Sequence, residues 1–185
     1  LGVYRSIVSR RVAAKKDGNK IIPDMFKIVC NGSFGKFGSK WSILYSPDLL
    51  IQVTITGQLA LLMLIESLEL AGINVVSGNT DGIVMRYPRI MQETVDTVVR
   101  EWEKRTNFET EETEYIALYS KDVNNYIAIK PDGKTKGKGA YSIGEGIFRF
   151  HRNPTNVICI EAVNKYLTER VPVETTIREC RDLRK

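Results

Sequence analysis

The sequence predicts an α+β fold, in which helices at both ends of the chain flank an antiparallel sheet. Apolar residues recur at helical spacing near the start, short β-prone runs surround polar turns in the middle, and helical spacing returns in the tail. Among the 185 residues, 43% are hydrophobic and 26% are charged, which is enough apolar material for a hydrophobic core. This composition excludes the fibrous and disordered classes of protein.

Two helices are predicted in the first 40 residues. Apolar residues recur at helical spacing from Leu1 to Val12, and the turn-forming sequence Asp17-Gly18-Asn19 ends this helix. Because no start signal precedes Leu1, we expect the chain to be a piece of a longer protein. A second helix follows Pro23 and ends near Asn31-Gly32, since three glycines between positions 32 and 38 disfavour a regular element.

A long apolar helix is predicted after Ser46-Pro47-Asp48. Serine is favoured as N-cap, proline at the first helical position and aspartate near the positive helix end. The following residues are apolar on nearly all sides up to Ala71-Gly72, where glycine ends the helix. We expect such a helix to be buried in a core. Its uninterrupted apolar run, residues 59–65, is shorter than the ~20 residues of a membrane span, so no membrane association is expected.

A tight β-hairpin follows this helix. Its strands are residues 73–77 and 83–87, and its polar tip is Gly78-Asn79-Thr80-Asp81-Gly82. The remaining predicted elements are an amphipathic helix at 91–105, strands at 115–120 and 126–130, a turn at Asp132-Gly133, and tail helices at about 155–167 and 173–183.

Cysteine content and charge bear on compartment and partners. Cys30, Cys159 and Cys180 are far apart and fit neither a disulfide framework nor a zinc site, which predicts a reducing compartment. The net charge of +5 is uneven: residues 1–40 hold nine basic and two acidic side chains, whereas residues 89–120 hold four and eight. One interpretation is that the charge of solvent-exposed helix faces simply varies in sign along the chain. The other is that basic segments bind a phosphate-bearing partner around an acidic centre.

Two motifs carry candidate chemistry. Asp81 at the hairpin tip would be an exposed oxygen ligand for a hard cation such as Mg²⁺, although such tips are also common plain turns. On a helix, Lys27 and Asn31 share one face with Phe34. A cation, an amide and an aromatic ring there can contact a triphosphate, a base edge and a base face. A solvent-facing lysine and a core phenylalanine explain the same spacing.

The order of these motifs resembles the polymerase core of family B DNA polymerases, of phage or mobile-element type. The family's fingers motif, Lys-x-x-x-Asn-Ser-x-Tyr-Gly, is similar to the segment from Lys27 to Gly35, and its palm hairpin, Asp-Thr-Asp-Ser, is similar to Asn79-Thr80-Asp81-Gly82. The likeness covers roughly residues 10 to 150 and includes the long helix between the motifs. It implies a fingers helical hairpin at 1–40, a palm with an antiparallel sheet at 41–140, and a palm-to-thumb transition with the start of the thumb at 141–185.

The resemblance also implies a role for each matching residue. Asp81 would be the catalytic, metal-binding carboxylate. The residues implied in nucleotide binding are Lys27, Asn31, Phe34, Arg11, Lys15 and Thr80. The residues implied in DNA binding are Gly35, Lys121, Tyr126, Lys136 and Lys138. Alternate lysines of an extended segment point to one side and can follow a phosphate backbone.

Three positions depart from the family's pattern. Asn79 stands where the first acid of the hairpin is usual, which lowers the local negative charge. Phe34 replaces tyrosine and keeps only the stacking face. The lysine that usually comes just before the tyrosine of the primer-binding element is absent before Tyr126, and Lys121 lies five residues upstream.

The implied reaction is template-directed DNA synthesis, in which a primer 3′-hydroxyl attacks the α-phosphate of a dNTP and two Mg²⁺ ions stabilise the attacking and leaving oxygens. The family's second carboxylate, in Asp-x-x-Ser-Leu-Tyr-Pro, has no counterpart in the sequence. We therefore expect a carboxylate outside this chain to complete one metal site, and the isolated chain to be inactive. The expected partners are primer–template DNA, dNTP and the rest of the polymerase chain, in the cytoplasm, that of a bacterial host if phage-encoded.

Two other functions stay open at this point. Asn79 and the missing partner acid favour a non-catalytic DNA-binding module derived from a polymerase palm, whereas the joint presence of Lys27, Asn31 and Asp81 disfavours it. A nucleotidyl cyclase or reverse-transcriptase-like palm also carries acids on a hairpin, but the Lys-x-x-x-Asn motif before a long helix argues against it. A palm piece that lacks a strand is expected to expose a sheet edge and to self-associate.

Overall fold

A computed structural model describes residues 2–18, 21–142 and 157–182, and the fold is α+β, as predicted. The elements in chain order are α1 (Gly2–Lys16), α2 (Ile21–Phe37), α3 (Pro47–Leu70), β1 (Asn74–Asn79), β2 (Gly82–Arg86), α4 (Gln92–Thr106), β3 (Ala117–Asp122), β4 (Asn125–Ile129), β5 (Thr135–Lys138), α5 (Val157–Glu169) and α6 (Val173–Glu179). Short 3₁₀ helices lie at Arg89–Met91 and Gly139–Tyr141. The chain forms two compact units: a first unit of residues 1–74 with 80–83, and a second unit of residues 75–79 with 84–185.

The first unit begins with a helical hairpin of α1 packed on α2. The predicted end of α1 is confirmed: the amide of Asp17 donates to the carbonyl of Ala13 at 3.0 Å, and Gly18 adopts a φ of 72° in the turn. Cys30 is the buried residue of α2, whereas α1 has none. Burial raises the pKa of Tyr4 on α1, and the neighbouring Cys30 raises it further. The Tyr4 phenol therefore lies next to the Cys30 thiol on α2.

The prediction that residues 32–38 are irregular is wrong, because α2 continues unbroken to Phe37. A β-carbon at Gly32 or Gly35 would meet no atom within 4 Å, so neither glycine serves a close approach. Each costs about 1 kcal/mol in a helix interior, which tertiary contacts can offset. Here the carbonyl of Phe37 accepts a hydrogen bond from the amide of Ser46 at 3.0 Å, which anchors the end of α2 beside the start of α3.

The predicted bounds of the long helix are confirmed: α3 begins at Pro47 and ends at Leu70. Ser46 takes the N-cap position, although its side chain makes no cap hydrogen bond. At the other end, Gly72 has a φ of 81° and the amide of Ile73 donates to the carbonyl of Leu68 at 2.9 Å. This turn has the geometry with which glycine commonly ends a helix.

The prediction that α3 is buried on all sides is wrong. Leu64 and Leu68 are its buried residues, while Ile51, Ile55 and Leu59 remain 59%, 46% and 59% exposed. The reason is that a helix buries only those sides on which another element packs. The apolar surface of α3 extends beyond the side that packs against the rest of the chain. Within the described residues α3 is also the one helix that is, by length and composition alone, long and apolar enough to cross a membrane.

The hairpin after α3 is confirmed as a two-stranded sheet of β1 and β2. The amphipathic helix is confirmed too, since Val95 and Trp102 of α4 are buried. Asn107, at a φ of 57°, ends α4, and the Trp102 ring stacks on Phe108 with 5.8 Å between ring centroids.

A separate three-stranded antiparallel sheet has the order β3-β4-β5. The described strands therefore form two sheets, with Ile127 and Ala128 buried in the centre of the second. Helices α5 and α6 pack on each other, and the side-chain nitrogen of Asn164 donates to the carbonyl of Tyr141 at 3.1 Å. Helix α6 ends at Glu179, four residues before its predicted end. Positions 155–156, the predicted start of α5, lie outside the described residues.

Candidate functional site

One face of α2 carries the residues of the first motif. Lys27 and Asn31 are exposed, and Phe34 is half-buried with its ring centroid 6.3 Å from that of Phe37 in an edge-to-face contact. Lys27 makes no ion pair with any residue in the described part of the chain. The helix thus presents a cation and an amide to solvent beside an aromatic ring, as the spacing predicts.

The second basic pair lies on α1. Arg11 is half-buried. Burial is the larger effect and raises the pKa of Tyr4, whereas the positive charge of Arg11 lowers it. Lys15 is exposed in the last turn of the helix. A groove of about 480 Å³ separates other side chains of the two helices. Its lining is Arg10, Ala13, Ala14, Asp17, Ile22, Met25 and Phe26, which includes none of the predicted nucleotide-binding residues.

Asp81 lies in the two-residue turn between β1 and β2, where its side chain is exposed. Its neighbour Thr80 has a φ of 26°, in the region that favours glycine and that β-branched residues avoid. Backbone outliers of this kind concentrate at functional sites, because a plain turn can use glycine or asparagine instead. The segment Thr80–Ile83 belongs to the first unit, which therefore contains Asp81 and every predicted nucleotide-binding residue.

The donor set fits a magnesium site only in part. Among the described residues, no three His, Cys, Asp or Glu side chains are grouped so that they could hold an ion. Asp81 offers one carboxylate, whereas magnesium bound at phosphates uses one or two carboxylates besides water and phosphate oxygens. At the hairpin tip the described part of the chain therefore offers one carboxylate, that of Asp81, which by itself is not a complete magnesium site.

The second unit holds four of the five predicted DNA-binding residues on its three-stranded sheet, while Gly35 lies exposed on α2 in the first unit. Lys138 is directly opposite Tyr126, and its ammonium lies 5.8 Å from the ring centroid. Lys136 is opposite Ala128, so both lysines project from the same face of the sheet and are exposed. Lys121 is exposed at the β-bulge of β3, where the register shifts.

A hydrogen-bonded corner beside these residues went unnoticed in the sequence. The carboxylate of Asp122 accepts hydrogen bonds from the amide of Asn124 at 2.8 Å and from the side-chain nitrogen of Asn125 at 2.9 Å. Asn125 in turn accepts one from the amide of Ala140 at 2.8 Å. An aspartate followed two residues later by asparagine is a turn signal, from which the first of these bonds can be predicted.

No protein-family model matches the chain. DNA polymerase 1 of Sulfolobus acidocaldarius is 25% identical over 122 residues, which cover 64% of this chain and 14% of that protein. DNA polymerase 1 of Sulfurisphaera ohwakuensis is 24% identical over 121 residues, again 64% of this chain and 14% of that protein. The chain thus spans about one seventh of the length of these curated relatives. It is distantly similar to part of a DNA polymerase.

Proposed function

We propose that this chain is a segment of a family B DNA polymerase that takes part in template-directed DNA synthesis. One observation carries the proposal: the segment from Lys27 to Asp81, which resembles the family's fingers and palm motifs, lies in a chain similar to two DNA polymerases. The exposed position of both motifs supports it, since both must be accessible to substrates.

The nucleotide would bind along α2. The Lys27 ammonium would contact the triphosphate, and Asn31 and Phe34 would lie against the nascent base pair. Lys27 is exposed and has no acidic partner among the described residues, which leaves its ammonium available for a phosphate. Hydrogen bonds between charged groups are stronger than neutral ones. The excess of basic side chains in residues 1–40 supports attraction of an anion, to which Arg11 and Lys15 would add.

Asp81 would supply one ligand of the magnesium ions, which would neutralise charge at the reacting phosphates when bound. A carboxylate outside this chain would complete the donor set, so the isolated chain would be inactive. Turn geometry supports this role for Asp81: the short tip leaves its carboxylate exposed next to the strained Thr80. The coding DNA upstream of Leu1 is expected to encode Asp-x-x-Ser-Leu-Tyr-Pro in frame, within about one domain's length.

The primer–template duplex would contact the three-stranded sheet. Lys136 and Lys138 project from one face, as expected of cations that follow a phosphate backbone, and the Tyr126 ring lies under Lys138. Phosphate contacts of this kind position a duplex without reading its sequence, as a polymerase requires.

Primer extension by the polymerase that contains this chain tests the proposal. Asp81→Ala is expected to lower kcat by about 10²- to 10³-fold, on the scale of losing one electrostatic stabiliser of the transition state. Lys27→Ala is expected to raise the KM for dNTP by about 10- to 100-fold, since hydrogen bonds to charged groups contribute about 1.5–3 kcal/mol. Asp48→Ala removes an exposed carboxylate from the first turn of α3 and serves as the matched control.

Extension that survives Asp81→Ala would contradict the catalytic assignment. If the chain nevertheless binds duplex DNA, the second candidate, a non-catalytic DNA-binding module, becomes the better function. Asn79 in place of the usual acid favours that candidate.

A further inference from the structure

A hydrogen-bonded network lies at one corner of the three-stranded sheet, beside its exposed lysines. This network, the Asp122–Asn125 clamp, consists of the Asp122 carboxylate, the Asn125 side chain and the amide of Ala140. Asn125 donates to both carboxylate oxygens of Asp122, each at 2.9 Å, and accepts from the Ala140 amide at 2.8 Å. The Asn125 side chain therefore joins the β3–β4 turn to Ala140, in the 3₁₀ helix that follows β5.

The contact is close, and glycines permit it. A β-carbon at Gly139 would overlap the side-chain amide of Asn125 and the carbonyl of Asn124, and Gly139 has a φ of 60°. A β-carbon at Gly137 would overlap the backbone of Tyr141. The chain after Lys138 thus folds directly onto the β3–β4 turn, and only glycine at these positions allows that approach.

The clamp lies next to two of the five residues predicted to bind DNA, Tyr126 and Lys138. Tyr126 follows Asn125 in the chain, and Lys138 lies two residues before Ala140 and directly opposite Tyr126. The Lys138 ammonium lies 5.8 Å from the centroid of the Tyr126 ring. The side-chain hydrogen bond from Asn125, and after it the bond from the amide of Asn124, lower the pKa of Asp122, which favours the charged carboxylate that accepts these bonds.

We propose that Asn125 is a positioning residue for DNA binding, which acts by holding Lys138 and Tyr126 in the geometry that meets a backbone phosphate. The proposal rests on the proposed function, because it presumes that Lys138 contacts the duplex. Asn125 itself touches no phosphate in this assignment. Its effect comes from preorganisation, since a lysine already in place loses less side-chain entropy on binding.

Binding of a fluorescent primer–template duplex to the 185-residue chain, measured by anisotropy over a series of salt concentrations, tests this inference. Lys138→Ala is expected to raise Kd up to about tenfold and to lower the slope of log Kd against log salt by about 1. Asn125→Ala should reproduce both changes. The double variant should bind no more weakly than either single variant, because both act through one contact.

Asn124→Ala is the matched control, since Asn124 is exposed and, among the described hydrogen bonds, contacts the clamp only through its backbone amide, which alanine keeps. A second pair leaves Asn125 in place. Asp122→Ala removes both acceptor oxygens and should weaken binding. Asp122→Asn keeps the oxygen that accepts from the Asn124 amide and from Asn125, loses the second bond from Asn125, and should weaken binding less. These two variants carry the same charge, so their difference reports the clamp even if Asn125→Ala does not fold.

The outcomes separate the two proposals. If Lys138→Ala weakens binding while Asn125→Ala and Asp122→Ala do not, the positioning role is wrong and the DNA interface stands. If Lys138→Ala binds like the wild type, or the wild type does not bind, the proposed DNA interface on the sheet and the positioning role of Asn125 are both wrong. Additive losses in the double variant would also overturn the positioning role.

Discussion

At the scale of single residues, the exposed carboxylates of the chain differ in what holds them. Asp122 accepts three hydrogen bonds in the β3–β4 turn, from the amide of Asn124 and twice from the Asn125 side chain. Asp132 accepts one from the amide of Lys134 and pairs with its ammonium at 3.1 Å. Sequence spacing predicts such local turns, because the partners are two or three residues away.

The hydrogen bonds of Asp122 make a prediction about pH. Because they lower its pKa in the folded protein, Asp122 contributes stability at pH values above its unfolded pKa, near 3.9, and loses that contribution as pH falls through the lower folded pKa. Thermal unfolding of wild type and Asp122→Ala should therefore differ at pH 7 and converge at strongly acidic pH. In an Asn125→Ala background the effect of pH on that difference should be much smaller. A difference that stays constant down to pH 2 would contradict this account.

At the scale of elements, α2 shows how far local propensity can be overridden. Its interior includes Gly32 and Gly35, yet it remains helical to Phe37. Three glycines in seven residues are typical of a loop, but the bond between the Phe37 carbonyl and the Ser46 amide depends on the start of α3. No pattern within residues 32–38 reports that contact, which is why the sequence predicted the wrong end of this helix.

Gly32→Ala is therefore expected to stabilise the protein by about 0.5–1 kcal/mol, because alanine adopts helical backbone angles at lower entropic cost. A β-carbon there has nothing within 4 Å to disturb. Urea unfolding followed by circular dichroism measures the change. Gly139→Ala is the contrasting variant, and it should destabilise because of its φ of 60° and the overlap with Asn125. Equal effects of the two substitutions would contradict this account, because they would show that backbone angle and available space at the glycine do not decide the change in stability.

At the scale of the whole molecule, the surface of α3 has the largest consequence. Ile51, Ile55, Leu59 and Leu62 follow one another at spacings of four, four and three residues, which lines them up along one side of the helix, and each is about half exposed. Leu64 and Leu68 are buried on another side. Contiguous exposed apolar stripes promote association when nothing covers them.

We expect the isolated chain to self-associate through this stripe. Static light scattering over a concentration series should give an apparent mass above that of the monomer, and Ile55→Gln with Leu59→Gln should bring it close to the monomer value. Thr56→Gln on the same helix is the control, because Thr56 is polar, exposed and outside the stripe. Association that is unchanged by the double substitution would point to another surface, such as the edges of the β1–β2 sheet.

Much of this protein was determined by local sequence. The ends of α1 and α3, the two-residue tip that bears Asp81, the buried face of α4 and the extended segment of Lys136 and Lys138 all depend on caps, turns and periodicity within a few residues. The roles of the predicted nucleotide- and DNA-binding residues were inferred from motif order, and they remain predictions for the experiments above.

Tertiary structure decided what depends on contacts between distant segments. It carried α2 through its glycines, left one side of α3 uncovered, divided the strands into two sheets, and joined Asn125 to Ala140, fifteen residues away. Periodicity states which side of a helix can be buried, but burial also needs a partner. Close approaches such as that of Gly139 to Asn125 arise only when a chain returns on itself, and that return is a property of the whole fold.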